Sequence, residues 1–125
     1  MFSVRVEAGF AAAHFLSHYH GKCENLHGHN YQVRLWSRGE QLDEGGMVAD
    51  FGILKTALRQ VLTGLDHSNL NDNPEFNNDP SAERIASFIF KQVEAVLPQL
   101  KGDPTQLWAV EVFETPTSMA RYERE

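Results

Sequence analysis

The segment Cys23-Glu24-Asn25-Leu26-His27-Gly28-His29 gathers a thiol, a carboxylate and two imidazoles in a few residues. Histidine is the commonest protein metal ligand near neutral pH, and zinc sites that do chemistry take three protein ligands and keep one position open. If Leu26 to Tyr31 enter a strand, His27 and His29 point to one side, and Gly28 between them adds no bulk. His14 is the best third ligand: the three alanines before it leave space, and its strand can lie beside that of His27 and His29. A second His-x-His, His18 and His20, falls in the loop-like stretch Ser17 to Lys22 and is expected to be exposed rather than ligating.

Cys23, next to Lys22 and a metal, would have a lowered pKa and act as a thiolate base or nucleophile. A lone cysteine is otherwise a small buried hydrophobe, but the polar setting Gly21-Lys22-Cys23-Glu24-Asn25 argues against that fate. Asp66 directly precedes His67 and could orient or charge-stabilise its imidazole; a capped loop rich in Asp and Asn accounts for the pair equally well. Glu114 ends an alternating run, where its two oxygens suit the amidine-like edge of a heterocycle, or where it is simply a solvated strand end.

The elements that must position these groups follow from hydrophobic periodicity. Residues 2 to 8 alternate, with Phe2, Val4, Val6 and Ala8 opposite Ser3, Arg5 and Glu7, and residues 30 to 38 repeat the pattern, so two antiparallel strands are predicted. Asp50 caps a first helix carrying Phe51, Leu54, Leu58, Val61, Leu62 and Leu65, until Gly64 and a polar loop intervene. Asp79 as cap and Pro80 at the first helical position open a second helix, with Ile85, Phe88, Ile89, Val93 and Val96 as its stripe and Pro98 as its end. Leu107 to Glu114 and Ser118 to Glu125 are period-two again around a Thr-Pro-Thr turn. The order β-β-α-α-β-β gives an α+β fold with a four-stranded antiparallel sheet and two helices on one face, in one domain over residues 1–125. The edges of so small a sheet carry unpaired backbone groups, so oligomerisation is expected.

The whole chain has 125 residues and a formal net charge of -6, with no basic run, which disfavours nucleic acid and anionic membrane surfaces and favours a small-molecule partner. No basic segment followed by an apolar run opens the sequence and no long apolar stretch follows, so neither a signal segment nor a membrane span is expected. A single cysteine suits a reducing compartment, hence a cytoplasmic location.

Taken together, Phe10-Ala-Ala-Ala-His14, Cys23 to Tyr31, Val48-Ala-Asp-Phe51, Leu65 to Asp72, Pro80 to Ala86 and Glu114 to Tyr122 resemble, in order and context, the 6-pyruvoyltetrahydropterin synthase and 6-carboxytetrahydropterin synthase family. The resemblance covers nearly the whole chain. It implies the tunnelling fold, in which three subunits close a barrel and two trimers stack into a homohexamer with sites between subunits. It further implies zinc on His14, His27 and His29, Cys23 as general base, Asp66 and His67 as a proton relay, and Glu114 as anchor of the pterin ring. The implied reaction is a zinc-dependent lyase step on 7,8-dihydroneopterin triphosphate with loss of triphosphate. The expected product is 6-carboxy-5,6,7,8-tetrahydropterin, a queuosine precursor, ahead of 6-pyruvoyltetrahydropterin. Two departures stand out: Ala11 replaces the usual serine, and Glu24 offers a second base of the kind that folate-branch members use to cleave the side chain to 6-hydroxymethyl-7,8-dihydropterin. Outside this enzyme class, a noncatalytic zinc-stabilised assembly domain would use the same histidines structurally.

Overall fold

The computed structural model describes residues 1–18, 21 and 24–125. Among these, β1 (Phe2–His14) and β2 (His27–Gly39) pair antiparallel along their full length, from Phe2 opposite Gly39 to His14 opposite His27. Helix α1 (Phe51–Thr63) follows, then the short β3 (Ser68–Asn69), helix α2 (Ala82–Val96), and the hairpin of β4 (Leu107–Thr115) and β5 (Ser118–Glu123). The strand order is β3-β1-β2-β4-β5. The expected four-stranded, wholly antiparallel sheet is therefore corrected to five strands, with β3 parallel to β1 through Ala12–Ser68 and Ala13–Asn69. Two polar residues cannot display a period, which is why β3 leaves no mark in the sequence. Both long strands also run further than their alternation showed, since Gly9, Ala11 and Ala13 carry little side chain to contrast with their neighbours.

Side-chain parity builds the core. Val6, Phe10, Ala12 and His14 of β1 share a face with Tyr31, Val33 and Leu35 of β2 and with Val110 and Val112 of β4, and all are buried. Against this face pack Leu54, Ala57, Leu58 and Leu62 of α1 and Ile85, Ala86, Ile89, Phe90 and Val93 of α2. The opposite face is polar: Arg34 pairs with Glu7 at 2.8 Å, while Glu111 accepts from Trp36 Nε1 at 2.6 Å and from Arg121 at 3.0 Å. No helix among the described residues is long and apolar enough to cross a membrane.

Asp50 caps α1 as expected, accepting from the amides of Gly52 and Ile53. The start of α2 differs. Its cap is Ser81, whose hydroxyl accepts from the Arg84 amide, and Pro80 lies outside the helix. Asp79 instead accepts from the amides of Ser17 at 2.6 Å and His18 at 3.2 Å and pairs with His18 Nδ1, tying the segment after β1 to the entrance of α2. Helix α2 passes after Val96 into a 3-10 turn, Leu97–Leu100, which accommodates Pro98 in its first turn.

Candidate active site

At the end of the sheet where β1 stops and β2 begins, the helix-facing side changes from apolar residues to imidazoles. His14 stands directly opposite His27, and His29 lies opposite Ala12, so all three rings leave the sheet from the same face. His14 is 1% exposed. Its Nδ1 donates to the Pro80 carbonyl at 2.8 Å, and His27 Nδ1 donates to the Asn25 carbonyl at 2.7 Å. A carbonyl only accepts, so each Nδ1 carries the proton and each neutral ring presents an Nε2 lone pair. These two Nε2 atoms face each other at 3.0 Å. With both Nδ1 protonated, that contact is an opposition of lone pairs rather than a hydrogen bond.

The His29 Nε2 is buried and has no hydrogen-bond partner among the described residues. Desolvation by burial holds the pKa values of His14 and His29 below the ordinary 6.5, which favours the neutral, ligating form. One ligand atom from each of His14, His27 and His29 lies within 4.8 Å of the others. Orphaned, converging nitrogen lone pairs with backbone carbonyls behind two of them are what a bound cation resolves, so this group could hold a metal ion.

Glu114 lies near the end of β4, one residue past Phe113, where the register with β5 shifts. Its Oε2 stands 3.8 Å from His29 Nε2. The carboxylate is thus beside the imidazoles, at the rim of the same end of the sheet.

Asp66 and His67 form a second group, pinned to the edge of β1 rather than joined to the three imidazoles. Asp66 Oδ1 accepts from the Ala11 amide at 2.9 Å, its Oδ2 lies 3.0 Å from His67 Nδ1, and the His67 amide donates to the Ala11 carbonyl at 2.6 Å. The Ala11 amide first, then His67, lower the Asp66 pKa from its ordinary value. His67 adopts the left-handed region at φ 56° and keeps its side chain largely exposed. It shares with His29, Gly28 and Asn30 the lining of an open hollow of about 480 Å³.

Cys23 and His20 lie outside the described residues. Glu24 is exposed, and its amide donates to the Gly21 carbonyl at 3.2 Å. His18 is exposed as expected but engaged by Asp79. Sequence reasoning did not single out Tyr31, although it shares the parity of His27 and His29. It is 1% exposed, stacks on Phe10 with ring centroids 4.7 Å apart, and meets His14 and His29 edge to face. The supporting carbonyls of Asn25 and Pro80 are backbone groups, which no residue type announces.

Comparison with known proteins bears on the family and the fold. The family model described as 6-pyruvoyl tetrahydropterin synthase matches residues 3–125. The chain belongs to that family. The 6-carboxy-5,6,7,8-tetrahydropterin synthase of Synechocystis is 41% identical over 127 aligned residues, covering 98% of this chain and 93% of the relative. The structure of the Caenorhabditis elegans 6-pyruvoyl tetrahydropterin synthase superposes with a TM-score of 0.88 at 30% identity, covering 99% of this chain and 96% of the other. A Plasmodium vivax 6-pyruvoyltetrahydropterin synthase, solved as a catalytic-residue mutant in which a glutamate is replaced by alanine, superposes with a TM-score of 0.72 at 27% identity, covering 98% of this chain and 97% of the other. The family is therefore one of tetrahydropterin synthases, and two of these relatives carry different product names within it.

Proposed function

We propose that this protein is a zinc-dependent lyase that converts 7,8-dihydroneopterin triphosphate to 6-carboxy-5,6,7,8-tetrahydropterin with loss of triphosphate. The observation that carries the reading is the convergence of three imidazole nitrogens beside a carboxylate on one face of the sheet. The 41% identity to a relative named for that product favours it over 6-pyruvoyltetrahydropterin.

His14, His27 and His29 would hold the zinc, whose chemistry is to polarise hydroxyls on the pterin side chain and acidify the adjacent carbon-bound proton. The chain's own residues supply the rest. Glu114 receives the 2-amino group and ring N–H of the pterin on its two oxygens, which orients the side chain over the imidazoles. Cys23 as thiolate removes the carbon-bound proton, and the Asp66–His67 pair moves protons along the side chain. The ring is reduced at the expense of side-chain carbons, so no external hydride donor enters. Conversion to the 6-pyruvoyl compound loses only triphosphate. The 6-carboxy compound additionally consumes one water and releases the two outer carbons as a two-carbon aldehyde.

Glu24 supports a second reading, the folate-branch cleavage to 6-hydroxymethyl-7,8-dihydropterin, because a glutamate is the residue replaced in the Plasmodium vivax catalytic mutant. In that cleavage the triphosphate stays on the two-carbon fragment. Incubation with 7,8-dihydroneopterin triphosphate and product identification by mass separates the three outcomes. Cys23→Ala should stop turnover while zinc and fold remain, and Glu24→Gln should leave the 6-carboxy product intact. Unchanged activity in Cys23→Ala moves the base to Glu24, and no pterin product at all overturns the assignment.

A cytoplasmic homohexamer, built as a dimer of trimers with sites between subunits, completes the reading. It is supported by the free outer edge of β5 and by the polar sheet face that the helices leave uncovered. Light scattering on the zinc-loaded protein tests it. The noncatalytic alternative, a closed four-ligand site including Cys23, would show thiolate-to-metal charge transfer in the cobalt-substituted protein.

A further inference from the structure

The buried hydroxyl of Tyr31 is a polar group that the reading above leaves idle. Among the described residues its oxygen has no hydrogen-bond partner, and the ring is locked in place by stacking on Phe10 and by edge contacts with His14 and His29. A buried hydroxyl without a partner carries its full desolvation cost, and native proteins keep few such groups without a use. The question is what it is placed to meet.

Their shared neighbour supplies the answer. The Tyr31 and His29 rings meet edge to face with centroids 5.4 Å apart, and Glu114 Oε2 stands 3.8 Å from His29 Nε2, so the phenol and the carboxylate border the same imidazole. The Glu114 carboxylate leans toward His29, whose Nε2 is likewise without a hydrogen-bond partner among the described residues.

We propose that Tyr31 is a positioning residue for substrate recognition, its hydroxyl donating to the Glu114 carboxylate once a metal engages His29 and Glu114 turns to receive the pterin edge. The proposal rests on the pterin-binding reading of Glu114. A carboxylate has about four lone-pair sites, so the two facing a pterin leave others for a phenol donor. That donor holds the carboxylate plane in the fork orientation. Tyr31 touches neither metal nor reacting carbon; it acts through Glu114.

The test is Tyr31→Phe, which removes one oxygen and leaves the stacked ring. Neopterin binding to zinc-loaded protein, followed by calorimetry, should weaken roughly tenfold in the variant, the usual effect of losing a hydrogen bond to a charged group. Zinc content should not change. The metal-free variant should unfold at the same or a higher temperature than metal-free wild type, because it no longer buries an unpaired hydroxyl. In a Glu114→Gln background the two losses should fall short of additive, since both act at one contact. Wild-type affinity in Tyr31→Phe overturns the role of Tyr31 while the pterin reading stands. Parallel loss of binding and thermal stability overturns it too, by making the hydroxyl a structural bond. Failure of wild-type protein to bind neopterin removes the pterin reading and the positioning role together.

Discussion

The metal assignment makes its sharpest demand on His27. The ring is held by the Asn25 carbonyl on one nitrogen and faces His14 across 3.0 Å on the other. Replacing it with Ala leaves two imidazoles where three converge. A metal present at about one hundred times its dissociation constant stabilises the folded state by about 2.7 kcal/mol. For a chain of 125 residues, 1 kcal/mol moves Tm by roughly 3–5 °C, so zinc should raise the wild-type Tm by roughly 10 °C over the chelated protein. The His27→Ala variant should lose that response. Its metal-free form should lie within about 1 kcal/mol of metal-free wild type, because the truncation removes a lone-pair opposition along with some packing of a half-buried ring. Scanning calorimetry with chelator and with zinc, together with zinc content by atomic absorption, reads both quantities. A full complement of zinc in His27→Ala, or a wild-type Tm indifferent to chelator and zinc, would refute the reasoning.

Three other outcomes are expected. Glu114→Gln keeps the shape of the side chain but turns one acceptor into a donor, and should weaken pterin binding by about one to two decades at unchanged zinc content; calorimetry on the zinc-loaded variant checks it. Ser81→Ala removes the hydroxyl that accepts from the Arg84 amide and should cost about 1 kcal/mol in a denaturant titration, whereas Asp79→Ala should leave the helical circular dichroism of α2 intact and loosen the segment at Ser17 and His18. Asp66 titrates below its ordinary 3.8, so the stability its carboxylate contributes is fully present above that value and is lost as pH falls through the lower folded pKa; a carboxyl carbon titration with its midpoint at or above 3.8 would contradict the Ala11 contact.

Much of the site was legible because a strand's period is two. His27 and His29 had to share a face once β2 reached them, and His14 needed only to end the neighbouring strand. Helix α1 was equally legible, since Asp50 and the apolar stripe agree on its start. What escaped was set by contacts distant in sequence. Asp79 and Ser81 are both good caps, and nothing local says that Asp79 is taken by residues 17 and 18. The Pro80 carbonyl reaches His14 across 66 positions. Strand β3 is too short to show a pattern, and the burial of the Tyr31 hydroxyl away from any partner among the described residues is a property of packing rather than of residue type.

The unbroken pairing of β1 with β2 works as a ruler whose last division is the seat of the imidazoles. The ladder ends with His14 opposite His27, so a change of chain length between these two residues leaves every division where it was. A single deletion inside either strand would instead turn one side of it over relative to the other and break the site apart. The three imidazoles are thus placed by counting along paired strands, while the thiol of Cys23 and the acid of Glu24 fall outside that count in the sequence. Exchanging residues 15–24 would therefore replace the thiol and the acid while keeping both the imidazole seat and Asn25, whose carbonyl supports His27.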